Sequence, residues 1–131
     1  MTTRVGGPSL PQKRELLTAI PGPKSVELMA RRKAAVSSGV GGTLPVFAVA
    51  AGGGVIVDVD GNSFIDLGAG IAVTNIGNAS PHVVKAVQDQ VAAFTHTCFM
   101  VTPYESYIEV CEELAALTPA PARGRGSRER E

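Results

Sequence analysis

Tryptophan is absent from the 131 residues, and the apolar 44% consists mostly of alanine and valine. The length fits one ordinary domain or a piece of a larger one. Only two cysteines occur, Cys98 and Cys111, and no Cys or His spacing suggests a zinc site. A disulfide framework is therefore not expected, which suits a reducing cytosol. Net charge is also lacking, with 12 basic and 12 acidic residues. The chain as a whole thus gives no electrostatic case for nucleic acid or an anionic membrane. No apolar run reaches the ~18 residues of a membrane helix. Pro8, Pro11, Pro21 and Pro23 break the first thirty residues, so no signal-peptide core is present there. There are no internal repeats. These absences describe a soluble, cytoplasmic chain.

The zero net charge conceals an uneven layout. Cations cluster at Arg31, Arg32 and Lys33 and again in the last nine residues, while Lys85 alone lies between Ala34 and Ala122. That middle stretch carries eight acids, from Asp58 to Glu113. Residues 1–23 are rich in Pro, Gly and Thr and read as a loose N-terminal arm. From Ser25 the pattern turns helical, with Val26, Leu28, Met29 and Val36 on a partial apolar side and Gly39 just past the end. The basic triplet reads as a solvated or subunit-contacting face of that helix. Pro45–Val49 has the composition of a short strand. Val55–Val59 and Ser63–Leu67 read as two strands joined by Asp60-Gly61-Asn62, a combination that supplies the positive φ of a tight hairpin.

Two helices follow. Ser80 stands at an N-cap position with Pro81 at the first helical position, and Val83, Val84, Val87 and Val91 form one stripe. Thr102-Pro103-Tyr104-Glu105 has the form of a capping box, with Thr102 as N-cap. Tyr104, Tyr107, Ile108, Cys111, Leu114 and Ala115 form the apolar stripe that follows, and Pro119 stops it. Residues 120–131 contain nothing apolar larger than Ala and read as a disordered Arg/Gly-rich tail.

The segment Ile65–Val87, IDLGAGIAVTNIGNASPHVVKAV, has the look of a phosphate loop without its spacing. Gly68-Ala69-Gly70-Ile71-Ala72-Val73 lacks the third glycine of G-x-G-x-x-G, and no Lys-Ser or Lys-Thr follows. The next helix starts ten residues after Gly70, too late for its N-terminus to serve those glycines. What remains is tight backbone packing or a wall beside a bound molecule. His82 and His96 are single histidines with no constellation around them, and Cys98 beside His96 is not a nucleophile pair of the usual kind. Asp60 reads as a turn residue, and Asp58 and Asp66 as solvated strand positions. No self-sufficient catalytic set is present.

Taken together, GVGGTLPVF, VDVDGNSFIDLGAGIAV, PHVVKAV and FTHTCFMVTPYESYIEVCEELAALTP resemble the N-terminal region of class III aminotransferases that use pyridoxal phosphate. The resemblance leans toward those acting on 4-aminobutyrate and covers about Val26 to Pro119. It implies an α/β fold: an incomplete small-domain portion (β-hairpin plus helices, residues 24–119) of a fold-type I transferase, near a homodimer interface. It implies small ω-amino acid and 2-oxo acid substrates. Ile71 matches a residue lining the substrate pocket, where an apolar wall suits a methylene chain. Met100 falls where relatives carry a polar Gln close to the cofactor, and Met cannot donate that hydrogen bond. The family's chemistry needs a Schiff-base lysine, an acid at the pyridine nitrogen and phosphate donors, all lying beyond this segment. Lys85, in PHVVKAV, is not that lysine, so the chain alone is expected to be inactive and without bound pyridoxal phosphate. The resemblance ends at Leu117-Thr118-Pro119, and the Arg-rich remainder is what an out-of-frame reading of GC-rich DNA produces.

Overall fold

The structure, a computed structural model, describes residues 9–118. In chain order these form helix α1 (Pro23–Ala35), strands β1 (Ala48–Gly52), β2 (Val55–Asp58) and β3 (Ser63–Ile65), a single turn α2 (Ala69–Ala72), and helices α3 (Pro81–Ala93) and α4 (Glu105–Leu117). The chain divides into two compact units between Ala92 and Ala93.

The first unit holds an antiparallel sheet in the order β1-β2-β3. The expected β2–β3 hairpin is present, pairing Val55 with Ile65 and Val57 with Ser63. Its turn closes through Gly61 N–H to Asp58 O (3.1 Å) and Asp58 N–H to Asn62 O (2.9 Å), with φ of 89° at Gly61. A side chain would strain that last conformation, which glycine adopts freely. The third strand departs from expectation, because it runs over Ala48–Gly52 instead of Pro45–Val49. The Gly53-Gly54 pair makes a second tight turn that sets Gly52 opposite Val55. Ala and Gly carry little strand preference of their own, so pairing with β2 specifies β1. A bulge between Ala48 and Ala50 leaves Val49 as the extra residue on this edge.

Polar groups make up most of the centre of this unit. Among the described residues, the fully buried side chains are Val55, Asn62, Asp58 and Ser25. Asp58 is 1% exposed, which corrects its reading as a solvated strand position. Its Oδ1 accepts the N–H groups of Asp60 (2.9 Å) and Asn62 (2.8 Å), and its Oδ2 accepts Asn62 Nδ2 (2.9 Å). Asn62 in turn accepts the amides of Leu17 (2.8 Å) and Thr18 (2.9 Å) on Oδ1 and donates from Nδ2 to Thr18 Oγ1 (2.9 Å). Every hydrogen-bonding site of this buried amide is thereby used, as burial without water requires. The same bonds fasten part of the stretch read as a loose arm. Gln12 adds clamps to Gly52 O and Gly54 N–H (both 3.0 Å), and Glu15 bridges Ser63.

Asp60 does more than turn the hairpin. It accepts the first free amides of α1, those of Lys24 (2.8 Å) and Ser25 (3.0 Å), together with the Ser25 hydroxyl (2.6 Å). Helix α1 therefore starts at Pro23 rather than Ser25, with Gly22 at the N-cap and its missing cap supplied from 35 residues away. A Cβ at Gly22 would lie 2.3 Å from the Asp60 carboxyl carbon, so this approach depends on glycine. The helix ends at Ala35, ahead of the expected Gly39. Arg32, from the basic triplet, turns its guanidinium to the Val40 carbonyl.

Burial raises the Asp60 carboxyl, but the Ser25 hydroxyl, the Lys24 and Ser25 amides and the Lys24 charge outweigh it and hold it below the usual aspartate range. A carboxyl whose folded value lies below its unfolded value stabilises the fold above the unfolded value. That contribution is lost as pH falls toward the folded one. Thermal unfolding midpoints should therefore drop as pH passes below the ordinary aspartate range. Asp60→Asn should remove that part of the acid dependence; an unchanged acid slope would contradict the assignment.

In the second unit, four rings form the packing centre. Phe99 lies 4.4 Å from Tyr107 and 5.4 Å from Tyr104 between centroids, and Phe94 lies 5.7 Å from Tyr104. Edge-on and tilted packing of this kind suits the quadrupoles of the rings. The expected capping box does not form. Helix α4 has Tyr104 at its N-cap with no side-chain cap bond. Thr102 is engaged in the preceding turn, its N–H donating to Cys98 O (2.8 Å) and its carbonyl accepting Thr97 Oγ1 (3.1 Å). Helix α3 starts at Pro81 as expected, with Ser80 O accepting Val84 N–H (2.9 Å). Neither α3 nor α4 buries a residue, and Val83, Val87, Val91, Ile108 and Leu114 all stand exposed.

Candidate functional site

Ile71 sits on an unusual piece of backbone. Four successive residues have positive φ: Ala69 (46°), Gly70 (62°), Ile71 (62°) and Ala72 (62°). With ψ of 35° at Gly70 and 56° at Ile71, this is a left-handed turn. Each non-glycine residue held this way costs about 1–2 kcal/mol, and a β-branched one is a genuine outlier. Local hydrogen bonds hold it. Gly68 O accepts Ile71 N–H (2.8 Å) and Ala72 N–H (3.1 Å), and Ala69 O accepts Val73 N–H (2.8 Å) and Thr74 N–H (3.0 Å). The result is an isoleucine presented almost free of its own unit, 96% exposed.

The start of this turn depends on Asp66, which corrects its expected place as a solvated strand position. Its Oδ1 accepts the amides of Gly68 (3.0 Å) and Ala69 (2.8 Å), while its own N–H donates to Gly54 O (2.9 Å). An aspartate two residues before a glycine is the signal that could have revealed it. This arrangement also disposes of the phosphate loop. The amides of Gly68, Ala69, Ile71, Ala72, Val73 and Thr74 all donate internally, the first two to a carboxylate of the chain itself.

Beyond the turn, Gly77 (φ 89°) leads into a short bridge in which Gly53 and Asn78 exchange N–H···O bonds of 3.0 and 2.8 Å. A cleft of about 420 Å³ lies beside that bridge, lined by Gln12, Gly53, Ile76, Asn78 and Ser80. Ile71 is not in its lining.

Met100 belongs to the second unit, one residue beyond Phe99 of the aromatic cluster. It rides on a turn in which Val101 and Thr102 both donate to Cys98 O (2.8 Å), and it is 91% exposed. His82, His96, Cys98 and Cys111 are exposed. Among the described residues no group of three or more His, Cys, Asp or Glu side chains could hold a metal ion.

The profile of the aminotransferase class-III family matches residues 36–125. The chain belongs to this family. It is 68% identical over 111 residues to a 4-aminobutyrate aminotransferase of Mycobacterium tuberculosis, covering 85% of the chain and 25% of that relative. It is 62% identical over 117 residues to the 4-aminobutyrate aminotransferase of Mycobacterium leprae, covering 89% of the chain and 26% of the relative. A 5-aminovalerate aminotransferase of Pseudomonas putida is 48% identical over 92 residues, 70% of the chain and 22% of the relative. The chain thus spans about a quarter of the length of the curated relatives it matches. The family match begins ten residues after Val26, where the resemblance starts, and continues past Pro119.

Class III aminotransferases depend on pyridoxal phosphate. The described residues do not fit that group. After Lys33 the one lysine is Lys85, whose Nζ is taken up by the Asp89 carboxylate at 2.7–2.8 Å in an exposed i,i+4 pair on α3. The Gly68 and Ala69 amides are occupied by Asp66, those of Ile71 to Thr74 donate to carbonyls of the same turn, and the Met100 thioether has no N–H to offer.

Proposed function

We propose that this chain supplies the substrate side of a transaminase acting on ω-amino acids, with Ile71 as an apolar wall for the methylene chain. In the complete reaction the amino group of 4-aminobutyrate passes to 2-oxoglutarate with pyridoxal phosphate as cofactor. The lysine, the acid and the phosphate donors come from polypeptide outside the residues described. The observation that supports this reading is the exposed presentation of Ile71 inside the family-matched stretch. Relatives named for 4-aminobutyrate and for 5-aminovalerate, whose chains differ by one methylene, support an apolar wall over a polar one. Met100 then borders the cofactor through apolar contact alone.

The exposed valines of α3 and the Ile108–Leu114 side of α4 support a covering polypeptide. In this reading that cover is the remainder of a class III enzyme and its dimer partner. Residues 24–119 are then a small-domain segment, at work in the cytoplasm.

The cofactor half of the proposal has a direct test. Titrating the 131-residue chain with pyridoxal phosphate should give no Schiff-base absorption beyond that of Lys85→Ala, and no transaminase activity. A saturable band that Lys85→Ala abolishes would overturn the reading.

A further inference from the structure

We propose that Asp66 is a positioning residue for the substrate wall: its carboxylate holds the left-handed turn that decides where the Ile71 side chain stands. Three observations converge on it. The turn runs through Ala69, Ile71 and Ala72, residues that do not choose positive φ unaided. The first amides of that turn, Gly68 and Ala69, close on Asp66 Oδ1. Asp66 itself is fixed to the sheet, because its amide donates to Gly54 O at the β1–β2 turn. The carboxylate is therefore the link between a rigid hairpin and a strained turn, and backbone strain of this kind gathers where a side chain must be placed for function.

Asp66 acts through Ile71 and does not touch the substrate. Its bearing on the substrate chain rests on the function proposed above, but its hold on the turn does not. Two readouts keep these apart. In the isotope-labelled full chain, strong intraresidue HN–Hα Overhauser effects should mark positive φ at Ile71 and Ala72. Asp66→Ala should weaken them several-fold while the Val55–Ile65 and Val57–Ser63 cross-strand contacts persist. Asp66→Asn, which keeps an Oδ1 acceptor, should restore them. Survival of the positive-φ pattern in Asp66→Ala, loss of the whole hairpin with it, or failure of Asp66→Asn to rescue would each overturn the proposal.

The kinetic readout mixes the full chain with a Mycobacterium tuberculosis 4-aminobutyrate aminotransferase lacking the matched quarter. Asp66→Ala should raise KM for 4-aminobutyrate roughly tenfold, as Ile71→Ala does, with a smaller change in kcat. A fall in kcat alone would count against positioning. If no variant turns over, the proposed function fails and the Overhauser pattern decides the role of Asp66.

Discussion

Asn62→Ala should lower the stability of the first unit by a large share of its total. The wild-type amide makes four side-chain hydrogen bonds, to Leu17, Thr18 (twice) and Asp58, at 2.8–2.9 Å and 0% exposure. Truncation leaves the Leu17 and Thr18 amides and one oxygen of the buried Asp58 without their partner. The buried Asp58 oxygen so orphaned costs about 1–3 kcal/mol and the part-buried Leu17 and Thr18 amides less, so a loss of about 2–4 kcal/mol is expected. That approaches the ~5–15 kcal/mol that holds an ordinary domain together. Val55 is the one buried apolar side chain among the described residues, so little else in the unit compensates. Asn62→Asp is the sharper comparison. It keeps the shape and the acceptor but sets a second carboxylate against Asp58, so it should be about as damaging. Urea unfolding followed by circular dichroism measures both; a near-wild-type midpoint for either would show that the buried network is not what holds the arm to the hairpin.

Gly77→Val should cost about 2–3 kcal/mol. A Cβ at this position lies 3.2 Å from Gly53 Cα and 3.3 Å from Gly53 O, and φ there is 89°. The obstacle is backbone, which cannot swing aside as a side chain does. A β-branched residue also resists positive φ, so both the conformation and the contact fail together. The Gly53–Asn78 bridge should open, releasing the loop between the Ile71 turn and α3 from the sheet. Hydrogen exchange at the Gly53 and Asn78 amides should accelerate, with Gly77→Ala showing the same effect to a smaller extent. Unchanged protection at both amides would contradict this account of the loop.

The sequence made some of this visible because the deciding information is local. The hairpin was legible from Asp60-Gly61-Asn62, since a turn that needs positive φ names its own residues. Helix α3 was legible from Ser80-Pro81 and the valine stripe, and the family could be read from motifs that the class-III match then covered. The burial of Asp58 was not legible. Acids alternating with apolar residues look solvated until Asn62 brings in Leu17 and Thr18 from 44 to 45 residues away. Asp60 misled in the same way, since its second role lies at the N-terminus of a distant helix. The Thr102 capping box failed because the Cys98 turn takes the Thr102 N–H that Glu105 would reach and α4 starts only at Glu105, which spacing alone does not reveal. A pocket role for Ile71 is what the resemblance implies, whereas the left-handed backbone that presents it has no signature in composition or periodicity. The expected ends of the N-terminal arm and of the Arg/Gly-rich tail, residues 1–8 and 119–131, lie outside the described residues.

One mixture tests the central claim most directly. The full chain is combined with the Mycobacterium tuberculosis 4-aminobutyrate aminotransferase lacking the segment it matches, and 4-aminobutyrate-dependent consumption of 2-oxoglutarate is followed. Neither polypeptide alone should turn over, the mixture should, and Ile71→Ala in the chain should raise KM for 4-aminobutyrate. Activity of the chain by itself, or a stable assembly of the two that stays inactive, would contradict the account.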